Sequence, residues 1–134
     1  MYTFLTITTL LSAASALGIN CRGSGWCNIN SASLNNVLTK AKQLQARGQG
    51  DHHWGEGVQI ACSGGQWGSI CAFFQSGASG NTDRAVELIQ GILDHGCTQC
   101  GSIPTEEGNN VDNGQLTVNY VENPCCSGDC YCPV

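Results

Sequence analysis

Residues 82–100 read TDRAVELIQGILDHGCTQC, and this stretch decides what kind of fold the chain builds. Ala85, Val86, Ile89, Ile92 and Leu93 recur at helical spacing and form one apolar stripe. A helix apolar on one side only must lie on another layer. Asn81 or Thr82 supplies the oxygen that caps its start. Gly96 ends it, with His95 in the last turn as a capping residue. Gly91, in its interior, costs about 1 kcal/mol relative to alanine, which places a close neighbour at that point. Cys97 and Cys100 follow with C-x-x-C spacing. That spacing suits a redox pair, half of a zinc site, or two structural half-cystines bonded elsewhere. The last reading fits a chain with so many cysteines.

Working outward, Leu34, Val37, Leu38, Ala41 and Leu44 mark a second one-sided helix. Ser31 or Ser33 caps it. Lys40, Lys42 and Arg47 lie in its later half, where the helix dipole favours cations, and Gly48 stops it. A polar loop, Gly48 to Gly57, separates this helix from two strand-like runs, Val58 to Cys62 and Ser69 to Phe74. Ser63-Gly64-Gly65-Gln66 reads as the turn between them. Beyond the C-x-x-C pair, Asp112-Asn113-Gly114 is a turn signal. Leu116, Val118 and Tyr120 then alternate with polar residues as a one-sided strand. Leu17 to Cys21 reads as an edge strand. The cysteine-dense segment from about residue 123, with Cys125, Cys126, Cys130 and Cys132, reads as a tail strapped onto the domain. The expected class is α+β: a two-layer sandwich of an antiparallel sheet with two helices on one face, held by disulfides.

Met1 to Ala16 is apolar, carries no charged side chain and ends in Ala14-Ser15-Ala16, the pattern of a cleaved secretory leader. It is too short to span a bilayer, which needs roughly 20 residues. The expected organisation is a signal peptide over 1–16 and one domain over 17–134, secreted to the extracellular space. All ten cysteines (Cys21, Cys27, Cys62, Cys71, Cys97, Cys100, Cys125, Cys126, Cys130 and Cys132) fall in that domain. An even count in an exported chain reads as a disulfide framework. Sequence alone leaves the pairing open, except that a bond between adjacent Cys125 and Cys126 is strained. A net charge of −5 with five Lys/Arg offers no basic face for nucleic acid and no cationic face for inserting into a bilayer. A monomer that binds a cell-surface protein is the expectation.

Asp51, His52, His53 and Glu56 are the one cluster with acid–base or metal-ligand chemistry, and they support a hydrolase as the least favoured reading. Adjacent histidines on an extended loop point apart, so a solvated loop is preferred. Ser24 and Ser63 lack the G-x-S-x-G elbow, and no nucleophile, base and oxyanion donor assemble. No enzyme activity and no cofactor are expected. Trp26, Trp54 and Trp67 fall on loops and turns, where exposed indoles suit a sugar or protein surface and buried ones pack on disulfides. They are the candidate surface-binding residues.

Four segments carry a resemblance: LGINCRGS at 17–24, His95-Gly96-Cys97, Cys100-Gly101-Ser102, and GQLTVNYV at 114–121. In this order they resemble the fungal killer-toxin family typified by the killer protein four of a smut-fungus virus. The resemblance implies an antiparallel sheet of about five strands with two antiparallel helices. It implies bridges Cys21–Cys97 and Cys27–Cys100, and a third from Cys62 to Cys125 or Cys126. Two further family bridges are missing as whole pairs, so that Cys71, Cys130, Cys132 and one of Cys125 and Cys126 are left to form replacements. The implied function is an antifungal, growth-inhibitory toxin acting on calcium channels of a fungal or plant cell from outside. A host-directed virulence effector, or a wall-binding protein on the same scaffold, is the alternative. The family toxin has a basic stretch, with a lysine linked to activity, before the cysteine matching Cys62. The corresponding stretch here, Gly57-Val58-Gln59-Ile60-Ala61, has no basic residue.

Overall fold

The structure is a computed structural model that describes residues 17–134; the expected leader over 1–16 lies outside the described residues. Both signalled helices form. Helix α1 runs Leu34–Ala46, and the Ser33 hydroxyl caps it by accepting from Asn36 N–H at 3.1 Å. Helix α2 runs Thr82–Asp94, capped by the Asn81 side-chain amide oxygen, which accepts from Arg84 N–H at 2.8 Å. His95 is the C-cap of α2, and Gly96 leaves the helix at φ +105°, a conformation that favours glycine.

Among the described residues seven strands accompany them: β1 His53–Trp54, β2 Ala61–Gly65, β3 Gly68–Gln75, β4 Gly80–Asn81, β5 Gly101–Pro104, β6 Gln115–Val121 and β7 Cys130–Tyr131. Five form one antiparallel sheet in the order β5-β6-β3-β2-β7, while β1 and β4 make a separate two-stranded ladder. The fold class is therefore the α+β sandwich read from the sequence.

The ladder register explains the layering. Ala72 pairs with Ala61 and Val118, Phe74 with Leu116, and Ser63 with Ile70, so these side chains share one face. That face meets the helices. The Ser63 hydroxyl accepts from Ser33 N–H at the start of α1 at 3.0 Å. On α2, Gly91 lies under the Ile103 side chain of β5, so close that an added Cβ would sit 2.6 Å from it. This is the close neighbour that the helical glycine implied. Phe74, Leu34, Leu44, Ile60, Ile70, Ile89, Ile92 and Leu116 are fully buried between the layers. At about 1.5–3 kcal/mol for each large apolar side chain removed from water, this core is the main stabilising term.

Three expectations about local elements change; the first is that β2 starts at Ala61 and not at Val58. The turn of the β2–β3 hairpin is Gln66-Trp67, not Ser63 to Gln66, because β2 continues to Gly65. The small residues there serve close approach: the backbone of Gly128 in the tail lies against Gly64, and Asn30 lies against Gly65. Leu17 to Cys21 contributes a single bridge, Asn20 to Ser102, not a strand.

All ten cysteines are paired. Cys21–Cys97 and Cys27–Cys100 are present as the resemblance implied. Cys62, however, bonds Cys71 and not a tail cysteine, while Cys125 bonds Cys132 and Cys126 bonds Cys130. The hairpin register accounts for this: Cys62 and Cys71 are directly opposite, with Cα atoms 4.1 Å apart, the range of the closer cross-strand pairs. The expected partner is still near, since Cys125 Sγ lies 3.7 Å from Cys62 Sγ.

The tail is a strap on the free edge of β2. Strand β7 pairs with Ala61 and Cys62, the Gln59 amide oxygen accepts from Cys125 N–H at 2.6 Å, and Arg47 lies over the Tyr131 ring at 5.6 Å. Asp129 is the main polar anchor. It accepts from the buried Ser63 hydroxyl at 2.8 Å, from Gly64 N–H at 3.0 Å and from the Asn36 amide at 3.1 Å. Asp129→Ala leaves the Ser63 hydroxyl without its acceptor, which costs about 1–3 kcal/mol. Hydrogen exchange should then show faster exchange at Cys132 N–H, which bonds Ile60 O at 2.8 Å, and unchanged exchange inside α2.

Candidate functional site

The three tryptophans divide. Trp54 is 2% exposed, and its indole N–H donates to the Thr82 hydroxyl at 2.9 Å. It belongs to the core and is no surface-binding residue. The one-residue alternation along β1 turns His53 outward and Trp54 inward. His52 packs edge-on against the Trp54 ring with centroids 4.6 Å apart. The histidine pair is thus split between packing and solvent. Asp51, His52, His53 and Glu56 do not bring their ligand atoms together. Among the described residues, the one such convergence is Cys62, Cys125, Cys126 and Cys132, whose sulfurs lie within 4.8 Å of one another. All four are in disulfides, so they present no thiolate to a metal.

Trp26 and Trp67 are 49% and 56% exposed. Trp26 sits in a single 3-10 turn, Gly25–Cys27, started by the Ser24 hydroxyl, which accepts from Trp26 N–H at 3.2 Å. Two fixtures hold the turn on the sheet: the Cys27–Cys100 bond, and Ser24 N–H donating to the Asn119 amide oxygen at 2.9 Å. The indole then stacks on Tyr120 of β6, with ring centroids 6.0 Å apart and planes inclined by 29°. Trp67 stands at the tip of the β2–β3 hairpin. Its loop is tied to the loop after Trp26: the Asn30 amide donates to Gly68 O at 2.8 Å, and Gln66 N–H donates to the Ser31 hydroxyl at 3.1 Å. Tyr120 also lies against Gly68. The two exposed indoles therefore belong to one end of the domain, on loops fixed to each other.

A second surface feature is an open groove of about 370 Å³ between Gly57, Val58, Gln59 and the tail residues Asn123, Cys125, Cys132 and Pro133. Val58 projects there, 49% exposed, whereas Ile60 two residues on is fully buried. Sequence reasoning did not anticipate this groove, because it exists only once the tail is laid along β2.

Comparison with known families places this geometry. The sequence model of the family described as Kp4 matches residues 4–122. This chain belongs to the Kp4 family. It is also 38% identical over 128 residues to the KP4 killer toxin of Ustilago maydis P4 virus, covering 93% of this chain and 95% of the toxin. The family match ends at residue 122, where the cysteine-rich tail begins. The matched segment contains both helices, strands β1 to β6 and the Cys21–Cys97 and Cys27–Cys100 staples, while β7 and the rest of the strap lie beyond it. Membership favours a toxin-like protein over an enzyme.

Proposed function

We propose that this protein is a secreted, non-enzymatic killer toxin that inhibits the growth of competing or host cells from outside by reducing calcium entry through a cell-surface channel. The observation that carries the reading is Kp4 membership over nearly the whole chain, with 38% identity to a killer toxin. Complete pairing of the cysteines supports an oxidising compartment. The rigid, stapled surface suits a ligand that docks without rearranging. The face proposed to meet the channel is the groove at Val58, where the side chain at position 58 reaches solvent.

The test is growth and calcium uptake of fungal and plant cells exposed to purified oxidised protein. Reduced growth together with reduced calcium uptake in at least one cell type is expected. Val58→Lys, which restores a basic group at an exposed position, should lower the half-inhibitory concentration. Ile60→Lys is not a fair probe, because it buries an unpaired ammonium and destabilises the sheet. No effect on growth or calcium uptake in any cell type overturns the proposal.

A further inference from the structure

We propose that the end of the domain bearing Trp26, Tyr120 and Trp67 binds an uncharged β-linked polysaccharide of the cell wall. Large apolar side chains exposed among the described residues are Leu17, Trp26, Ile29, Val58, Trp67 and Val134. Half of them stand on the two loops of this end, so exposure is concentrated there rather than scattered. A sugar ring with equatorial substituents has a flat C–H face and a rim of hydroxyls. The flat face packs on an indole, and the rim pairs with neutral amides. Exposed Asn28 and Gln66 flank the two indoles in sequence and supply such amides.

Charge selects this partner class. The segments that form this end, residues 23–33, 63–70 and 119–121, contain no Asp, Glu, Lys, Arg or His. Arg22 and Glu122 stand at the borders of these segments, and Asp129 is engaged by Ser63, Gly64 and Asn36. In a protein with net charge −5, this end carries only the opposite charges of exposed Arg22 and Glu122 at its borders, so it offers no net charge to a charged ligand or to anionic lipid. A neutral glycan loses no ionic hydration on docking and needs no counter-charge. The platform is also preorganised. The Cys27–Cys100 bond, the Asn119 contact and the cross-loop bonds of Asn30 and Gln66 fix the rings before binding, which lowers the ordering cost.

The experiment incubates the oxidised protein with insoluble chitin, insoluble β-1,3-glucan and phosphatidylcholine vesicles, and measures depletion from the supernatant. Depletion by at least one of the two glycans, persisting in 0.5 M NaCl, is expected. Trp26→Ala and Trp67→Ala each weaken retention about tenfold or more, the scale of an aromatic hot spot, with circular dichroism and disulfide mapping unchanged. Trp26→Phe, which keeps a flat ring, restores most of the retention lost in Trp26→Ala. The same variants are assayed for calcium uptake on wall-less protoplasts, where inhibition should equal that of the parent. Thus a failure of the toxin reading and a failure of this one give different results. Retention by neither glycan overturns the inference, as does equal retention by the Trp26→Ala, Trp67→Ala double variant, salt-abolished retention, or binding to the vesicles alone.

Discussion

Replacing Cys27 and Cys100 together by serine lowers the unfolding free energy by about 4 kcal/mol, the loop-closure value for a bond of this span. The bond joins residues 73 apart and fastens the turn of Trp26 to the start of β5. A domain of this size has about 5–15 kcal/mol in total, so one staple is a large part of it. Thermal unfolding of the non-reduced double variant should show a midpoint about 15 °C lower. Removing Cys126–Cys130, with a separation of four residues, costs about 2 kcal/mol at most on the same reasoning. Equal losses for the two pairs would contradict the loop-closure account. The larger loss also frees the Ser24–Trp26 turn, so glycan retention should fall along with stability.

Trp54→Ala is expected to cost about 3–5 kcal/mol, the range for emptying a large aromatic site. The ring is enclosed beneath the β1–β4 ladder, and its N–H serves the fully buried Thr82 hydroxyl at the first residue of α2. Trp54→Phe separates the two contributions. It keeps much of the packing but leaves Thr82 without its donor, so about 1–3 kcal/mol should be lost. Denaturant titration measures both. If Trp54→Ala leaves stability unchanged and abolishes glycan retention, the assignment of Trp54 to the core is wrong.

The helices were legible because their signals are local. Ser33 and Asn81 cap, Gly48 and Gly96 stop, the apolar stripe of α1 matches its buried residues, and that of α2 does so except that Leu88 is buried and Leu93 only partly. Gly91 was readable as a point of contact, though nothing local named Ile103 as the neighbour. Gly64 and Gly65 misled because a glycine pair signals a turn and a close backbone approach equally well. Only the docked tail and Asn30 distinguish the two. Trp26, Trp54 and Trp67 all sit in polar, glycine-rich surroundings, so their opposite fates depend on which loops fold over them. Cys62 was misassigned because its true partner is set by hairpin register and its expected partner lies in contact with it. Strand β5 gave little signal, being four residues long with a glycine and a proline at its ends. The candidate surfaces depend on long-range placement of short loops, and periodicity carries no information about that.

The two tail bonds are nested, Cys126–Cys130 inside Cys125–Cys132, and neither crosses to the rest of the domain. The strap can therefore swing away as a unit without any covalent change. A chain cut before Pro124 would leave the β2 edge bare, with its amides and carbonyls open to another molecule's strand. Such a shortened protein should self-associate edge to edge, which makes this terminal clasp a guard against polymerisation.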